Sequence, residues 1–157
     1  ALEVKFIHLM SGVAPKDRAE KMLIRNLAWA AYQAPNQALT LEPINTFDVP
    51  GYALDSFEQA VYLMDWVGAP NIHLQFDAYH AHRITGDVLS AWQKFGPRTK
   101  HIQISRYPGR HEPVGGDIDY HAFFDGITKD GYDGVVSAEY NPENSTLDGL
   151  GWLHTYA

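Results

Sequence analysis

Apolar residues along the chain recur in two rhythms that take turns. Val4–Met10 (VKFIHLM), Leu39–Ile44, Ile72–Phe76, His101–Ile104 and Gly134–Ala138 are short β-rich runs of strand length. Between them apolar positions return every three or four residues, as Met22, Leu23, Leu27, Ala30 and Ala31 do. This spacing predicts helices over Asp17–Ala34, from the N-cap Ser56 to Val67, and over Gly86–Phe95, Tyr120–Lys129 and Leu147–Tyr156. Pro35 with Asn36, Gly68 with Pro70, Gly96 with Pro97, and Gly131 supply the stops. The resulting order is β-α-β-α-β-α-β-α-β-α. Strict alternation predicts an α/β fold with a parallel sheet and helical crossovers.

The connections are unequal. Segments leading into helices are long and polar (SGVAPKD, NTFDVPGYALD, YHAHRITGD, RYPGRHEPVGGDIDY), whereas those leaving helices are short. In a β/α barrel the long loops gather at the C-terminal face, where the chemistry sits. The competing open sheet of the flavodoxin type wants a Gly-rich phosphate loop after its first strand, and SGVAPKD is a poor one. Four polar residues stand at the ends of the apolar runs: Glu42, Asp77, Gln103 and Glu139. Their separations of 35, 26 and 36 residues match the length of a βα repeat. Equivalent ends of parallel strands converge, and three carboxylates held together repel unless a cation compensates them. Oxygen-only donors suit Mg²⁺ or Mn²⁺. Glu42 and Glu139, on opposite sides of a bound hydroxycarbonyl, could move a proton between adjacent carbons through an enediol.

Composition narrows the partners. The 157 residues suffice for one domain, 1–157, with a real core, at 45% hydrophobic and 20% charged. A net charge of −7 argues against nucleic acid or an anionic membrane as partner. The absence of cysteine removes thiolate and disulfide chemistry. No leader or membrane-spanning run is visible, so the expected location is cytoplasmic. Tyr79, Tyr107 and Tyr140 lie near the candidate residues, either packing the strand ends or walling water out of a small polar site.

At these motifs the chain resembles the hydroxypyruvate isomerase family, within the xylose-isomerase-like group of TIM barrels. The stretches that carry the resemblance are LEPINTFDVPGY (41–52), NIHLQFDAYH (71–80), HIQISRYPGRHEP (101–113), GYDGVVSAEYNP (131–142) and STLDGLGWL (145–153). The resemblance implies an isomerase that interconverts hydroxypyruvate and tartronate semialdehyde, or a related small 2-oxo acid. It implies that Glu42 and Glu139 are the acid/base pair and that Glu42, Asp77, Gln103 and Glu139 hold a divalent metal. It also implies that His80 and Arg110 contact the substrate; the neighbouring His111 and Glu112 are read instead as structural, ordering the loop. Gln103 separates this family from the sugar epimerases, which usually have His there. Phe47, where the family often has Arg, and GDIDY at 116–120, where it often has GEINY, are departures in active-face loops.

Family members run to about 260 residues and close an eight-stranded barrel. By this resemblance the chain corresponds to strands four to eight. Five strands cannot close such a barrel and leave open edges. The chain is then a fragment of a longer enzyme, half of an assembly in which a second chain completes the barrel, or an open sheet that folds alone; the first is the preferred account. Three functions follow: the isomerase, a sugar epimerase or dehydratase of the same barrel group, and a catalytically inactive truncated barrel kept as a binding or assembly module. The purified 157-residue chain is expected to show little or no isomerase turnover. Turnover at the rate of a complete enzyme would contradict that.

Overall fold

A computed structural model describes residues 4–156, which alternate strand and helix. The strands are β1 (Phe6–Leu9), β2 (Ala38–Leu41), β3 (Ile72–Asp77), β4 (Thr99–Ile104) and β5 (Val135–Ala138). The helices are α1 (Lys16–Gln33), α2 (Phe57–Val67), α3 (Ala78–Thr85), α4 (Val88–Phe95), α5 (Tyr120–Lys129) and α6 (Thr146–Gly149). The strands are parallel and follow one another in chain order, as the alternation predicts. Two compact units can be distinguished. One runs to Phe76 and includes Arg98–Lys100; the other comprises Asp77–Pro97 and everything from His101 onward.

In the first unit the strands sort their residues by parity. On β2, Leu39 and Leu41 bury one face while Thr40 points to the other; on β3, Ile72, Leu74 and Phe76 alternate with His73 and Gln75. The apolar face meets α2 through Phe57, Ala60, Leu63 and Met64, with the Phe57 and Phe76 rings 5.3 Å apart. Each such large side chain contributes ~2 kcal/mol on burial. Ser56 caps α2 by accepting the Gln59 N–H, and Gly68 ends it in the left-handed region at φ 65°. The Asn71 side-chain amide donates to the carbonyls of Ala34 (2.9 Å) and Gln37 (3.2 Å), tying the end of α1 to the start of β3. β1 is less covered: Val4, Ile7 and Met10 remain exposed.

In the second unit β4 and β5 pair with Gln103 opposite Ser137. The Trp92 indole N–H of α4 donates to Asp130 Oδ2 at 2.9 Å, and its ring meets Phe123 and Tyr132 edge-on. The Tyr120 hydroxyl of α5 accepts the Ser105 N–H at 3.1 Å and donates to the Ser105 carbonyl at 2.7 Å. This satisfies the backbone N–H and carbonyl just beyond β4.

Two sequence expectations are corrected. YHAHRITGD, read as loop, contains helix α3. Asp77 caps it by accepting the N–H groups of Tyr79 and His80, and Gly86 ends it at φ 79°. The following helix therefore starts at Val88 behind the cap Asp87, rather than at Gly86. The single terminal helix expected over Leu147–Tyr156 is a short α6 followed by a 3-10 turn at Leu150–His154. Gly149 and Gly151 sit in the middle of that stretch and weaken continuous α-helix.

Tyr120→Phe removes a hydroxyl that satisfies two buried backbone groups. It is expected to lower stability by about 2 kcal/mol, read as a drop in the urea midpoint.

Candidate functional site

Glu42 follows β2 directly and is buried in the first unit. Its Oε2 accepts a hydrogen bond from the Gln75 amide at 3.1 Å and lies 3.4 Å from His8 Nε2. Gln75 Oε1 in turn accepts from the Thr40 hydroxyl at 3.2 Å. Parity explains the group: Thr40 and Glu42 share one side of their strand, Gln75 occupies the matching side of β3, and His8 stands in register with Thr40. The sequence reading missed Gln75 and set His8 aside. Gln75 was detectable, because it precedes Asp77 by two residues on the same face.

Asp77 is the last residue of β3 and the N-cap of α3, and it is 1% exposed. Its Oδ1 accepts the backbone N–H groups of Tyr79 (2.8 Å) and His80 (3.3 Å). Its Oδ2 faces Arg110 Nη2 at 3.4 Å and His80 Nε2 at 4.0 Å. Burial pushes the Asp77 carboxyl up to about 7; the Arg110 guanidinium opposes that, and the Glu139 carboxylate adds to it. Glu139 stands just past β5, its N–H donating to the Ile104 carbonyl at 3.1 Å, and its Oε2 accepts from the same Arg110 Nη2 at 2.7 Å. Asp77 and Glu139, 62 residues apart in the chain, thus meet at one nitrogen atom.

Arg110 is the only non-glycine residue with positive φ (54°) among the described residues. Its N–H donates to the Arg106 carbonyl (2.9 Å) and its carbonyl accepts from the Asn141 N–H (2.8 Å), so the strained conformation is held at both ends. The guanidinium carbon lies 5.2 Å from the centre of the Tyr79 ring. Tyr79 and Tyr107 stand 5.8 Å apart as a pair, whereas Tyr140 packs on Trp152. His111 and Glu112 order the loop: His111 Nδ1 lies 2.8 Å from the Asn141 carbonyl, and Glu112 accepts the Glu143 N–H with both oxygens at 3.2 Å.

Gln103 is half-buried within β4 rather than at its end, two residues from His101 on the same face. The His101 Nε2 and Ser137 hydroxyl are 2.9 Å apart, and burial lowers the His101 pKa. Phe47, one of the sequence departures, is 73% exposed. Glu42, Asp77 and His80 are buried and each offers one metal-ligand atom, so each is a candidate ligand of a divalent cation. His80, expected to contact substrate, therefore has a second role open to it. A carboxylate-rich donor set with one imidazole fits a divalent cation, and the raised Asp77 pKa marks a buried carboxylate that a cation would relieve. No helix among the described residues is long and apolar enough to cross a membrane.

Residues 1–156 match the xylose isomerase-like TIM barrel family. The chain is 40% identical over 156 residues to the 2-oxo-tetronate isomerase of Cupriavidus necator, covering 96% of this chain and 60% of that protein. It is 35% identical over 162 residues to the hydroxypyruvate isomerase of Escherichia coli, covering 99% and 63%. Its structure is similar to that of an AP endonuclease, family 2, from Brucella melitensis, with a TM-score of 0.91, 36% identity, and coverage of 97% and 61%. The chain spans about 60% of the length of the curated relatives it matches.

The raised pKa of Asp77 sets the sign of a pH dependence. The folded state holds its proton up to about 7, whereas an unfolded Asp releases it near 3.9. Between those values the folded state binds more protons, so stability falls as pH rises. The metal-free protein is expected to melt higher at pH 5 than at pH 8. Asp77→Asn, which still caps α3, should flatten that slope. Equal slopes for the two proteins in a pH series of melting temperatures would refute the assignment.

Proposed function

The chain belongs to the xylose isomerase-like TIM barrel family, and on that premise we propose that it carries the metal-binding and proton-transfer residues of an isomerase acting on a small 2-oxo acid. Hydroxypyruvate, interconverted with tartronate semialdehyde, is the preferred substrate; 2-oxo-tetronate is the runner-up, suggested by the name of the Cupriavidus relative. The observation that carries the reading is the meeting of Asp77 and Glu139 on one Arg110 nitrogen, with the His80 ring beside Asp77. Two carboxylates that share one positive partner support the reading of a cation-binding site.

Glu42, Asp77, Gln103 and Glu139 would hold the divalent cation, Mg²⁺ or Mn²⁺, with His80 as a further donor. A cation bound there would supply charge stabilisation to the enediolate. Glu42 or Glu139 removes a proton from the hydroxymethyl carbon, giving an enediolate. The other glutamate delivers a proton to the former carbonyl carbon, while the hydroxyl proton passes from one oxygen to the other. Bonds and charge balance without a redox cofactor. Arg110 pairs the substrate carboxylate, and Tyr79 with Tyr107 keeps water away.

A sugar epimerase would use the same two carboxylates, but Gln103 stands where the resemblance places His in those enzymes. A nucleic-acid substrate, which the name of the Brucella protein suggests, fits poorly with a net charge of −7.

Exchange of substrate C–H for deuterium in D₂O, followed by NMR with hydroxypyruvate, detects proton abstraction even when turnover is slow. Exchange is expected with Mn²⁺ or Mg²⁺, to stop on chelation, and to fall about 10²- to 10⁴-fold in Glu42→Gln and in Glu139→Gln. Exchange that persists in Glu42→Gln removes that residue from the acid/base role.

A further inference from the structure

Arg110 is doubly assigned. Its Nη2 sits 2.7 Å from Glu139 Oε2 and 3.4 Å from Asp77 Oδ2, on carboxylates the proposed function gives to a cation. Asp77 Oδ1 is already committed to the α3 cap, so Oδ2 is the oxygen that Arg110 and a metal would share. A divalent ion sits about 2.1 Å from its oxygen ligands. Two positive centres cannot both occupy that space without strong repulsion.

From this geometry, and resting on the metal reading above, we propose that Arg110 and the divalent cation are alternative partners of Asp77 and Glu139. Cation entry displaces the guanidinium and frees it to take the substrate carboxylate.

The loop is built to allow the exchange. The Arg110 backbone is pinned by its bonds to Arg106 and Asn141, so only the side chain need move. The Tyr79 ring, 5.2 Å from the guanidinium, offers it a resting surface that does not depend on either carboxylate. Arg110 meanwhile compensates Asp77, whose carboxylate is almost wholly buried. Substrate pairing would then follow metal binding, because the arginine is unavailable until the cation has taken its place.

Mn²⁺ affinity of the metal-stripped protein, measured by electron paramagnetic resonance of free Mn²⁺, tests this without any turnover. Arg110→Met is expected to bind Mn²⁺ about tenfold tighter than the parent. Arg110→Lys, which keeps the charge but loses the fork, should fall between. Arg83→Met removes the same charge from a second arginine near Tyr79, 5.9 Å from its ring centre, and controls for long-range attraction; it should change affinity by less than about twofold. Equal or weaker binding by Arg110→Met overturns the proposal, as does an equal gain in Arg83→Met. If Arg110→Met does not fold, Arg110→Lys decides by the same criterion. In the parent, saturation with Mg²⁺ should shift the Arg110 Nε–H resonance, and a resonance that stays in place also overturns it. If neither parent nor Arg110→Met binds Mn²⁺ or Mg²⁺, the metal reading fails and takes the exchange with it. Tight binding that is insensitive to Arg110 sinks the exchange alone.

Discussion

The carboxylate of Asp77 is the constraint around which the second unit is arranged. It lies at the end of a strand whose residues are nearly all buried, where an uncompensated charge is very costly. One oxygen is spent on the N-terminus of α3, where two backbone N–H groups and the helix dipole favour negative charge. The other depends on Arg110. Because Arg110 stands on a loop with positive φ, that loop must hold a strained backbone for the compensation to exist. His111 and Glu112 fasten the loop to Asn141 and Glu143, just beyond Glu139. One buried charge thus accounts for a cap, a strained arginine and the loop that supports it.

Glu42 in the first unit is handled by other means. Its compensation comes from Gln75, and from His8 when that ring is protonated. An amide donates without bringing charge, so Glu42 sits within a polar row. The two carboxylates thus sit in unlike settings, a neutral amide beside Glu42 and a guanidinium beside Asp77.

The strands and most helices were legible because apolar parity and spacing report packing directly. Leu39, Leu41, Leu74 and Phe76 are buried as their alternation requires, and Ser56 and Gly68 delimit α2 as their residue types require. Helix α3 was not legible from periodicity, since eight residues give barely two turns to count. Its real signal was the Asp77 cap with Gly86 nine residues on, and Asp77 had already been given to the metal. One side chain can be both a cap and a candidate ligand, and a reading that assigns one role per residue loses the second. The meeting of Arg110 with Asp77 and Glu139 could not be seen either. It depends on a left-handed φ at an arginine, which no residue pattern predicts.

Strained or costly features that local rules would forbid tend to gather where function needs them. Here they fall within a few ångströms: a carboxyl whose pKa is raised to about 7, a positive-φ arginine, and a carboxylate pair on one guanidinium. Each costs stability in isolation, and together they relieve one another only in part, since the Asp77 pKa stays high despite Arg110. A divalent cation at the proposed site would complete that relief. The 3.4 Å contact between Arg110 and Asp77 Oδ2 leaves a buried carboxylate oxygen that a closer-bound ion would compensate more fully.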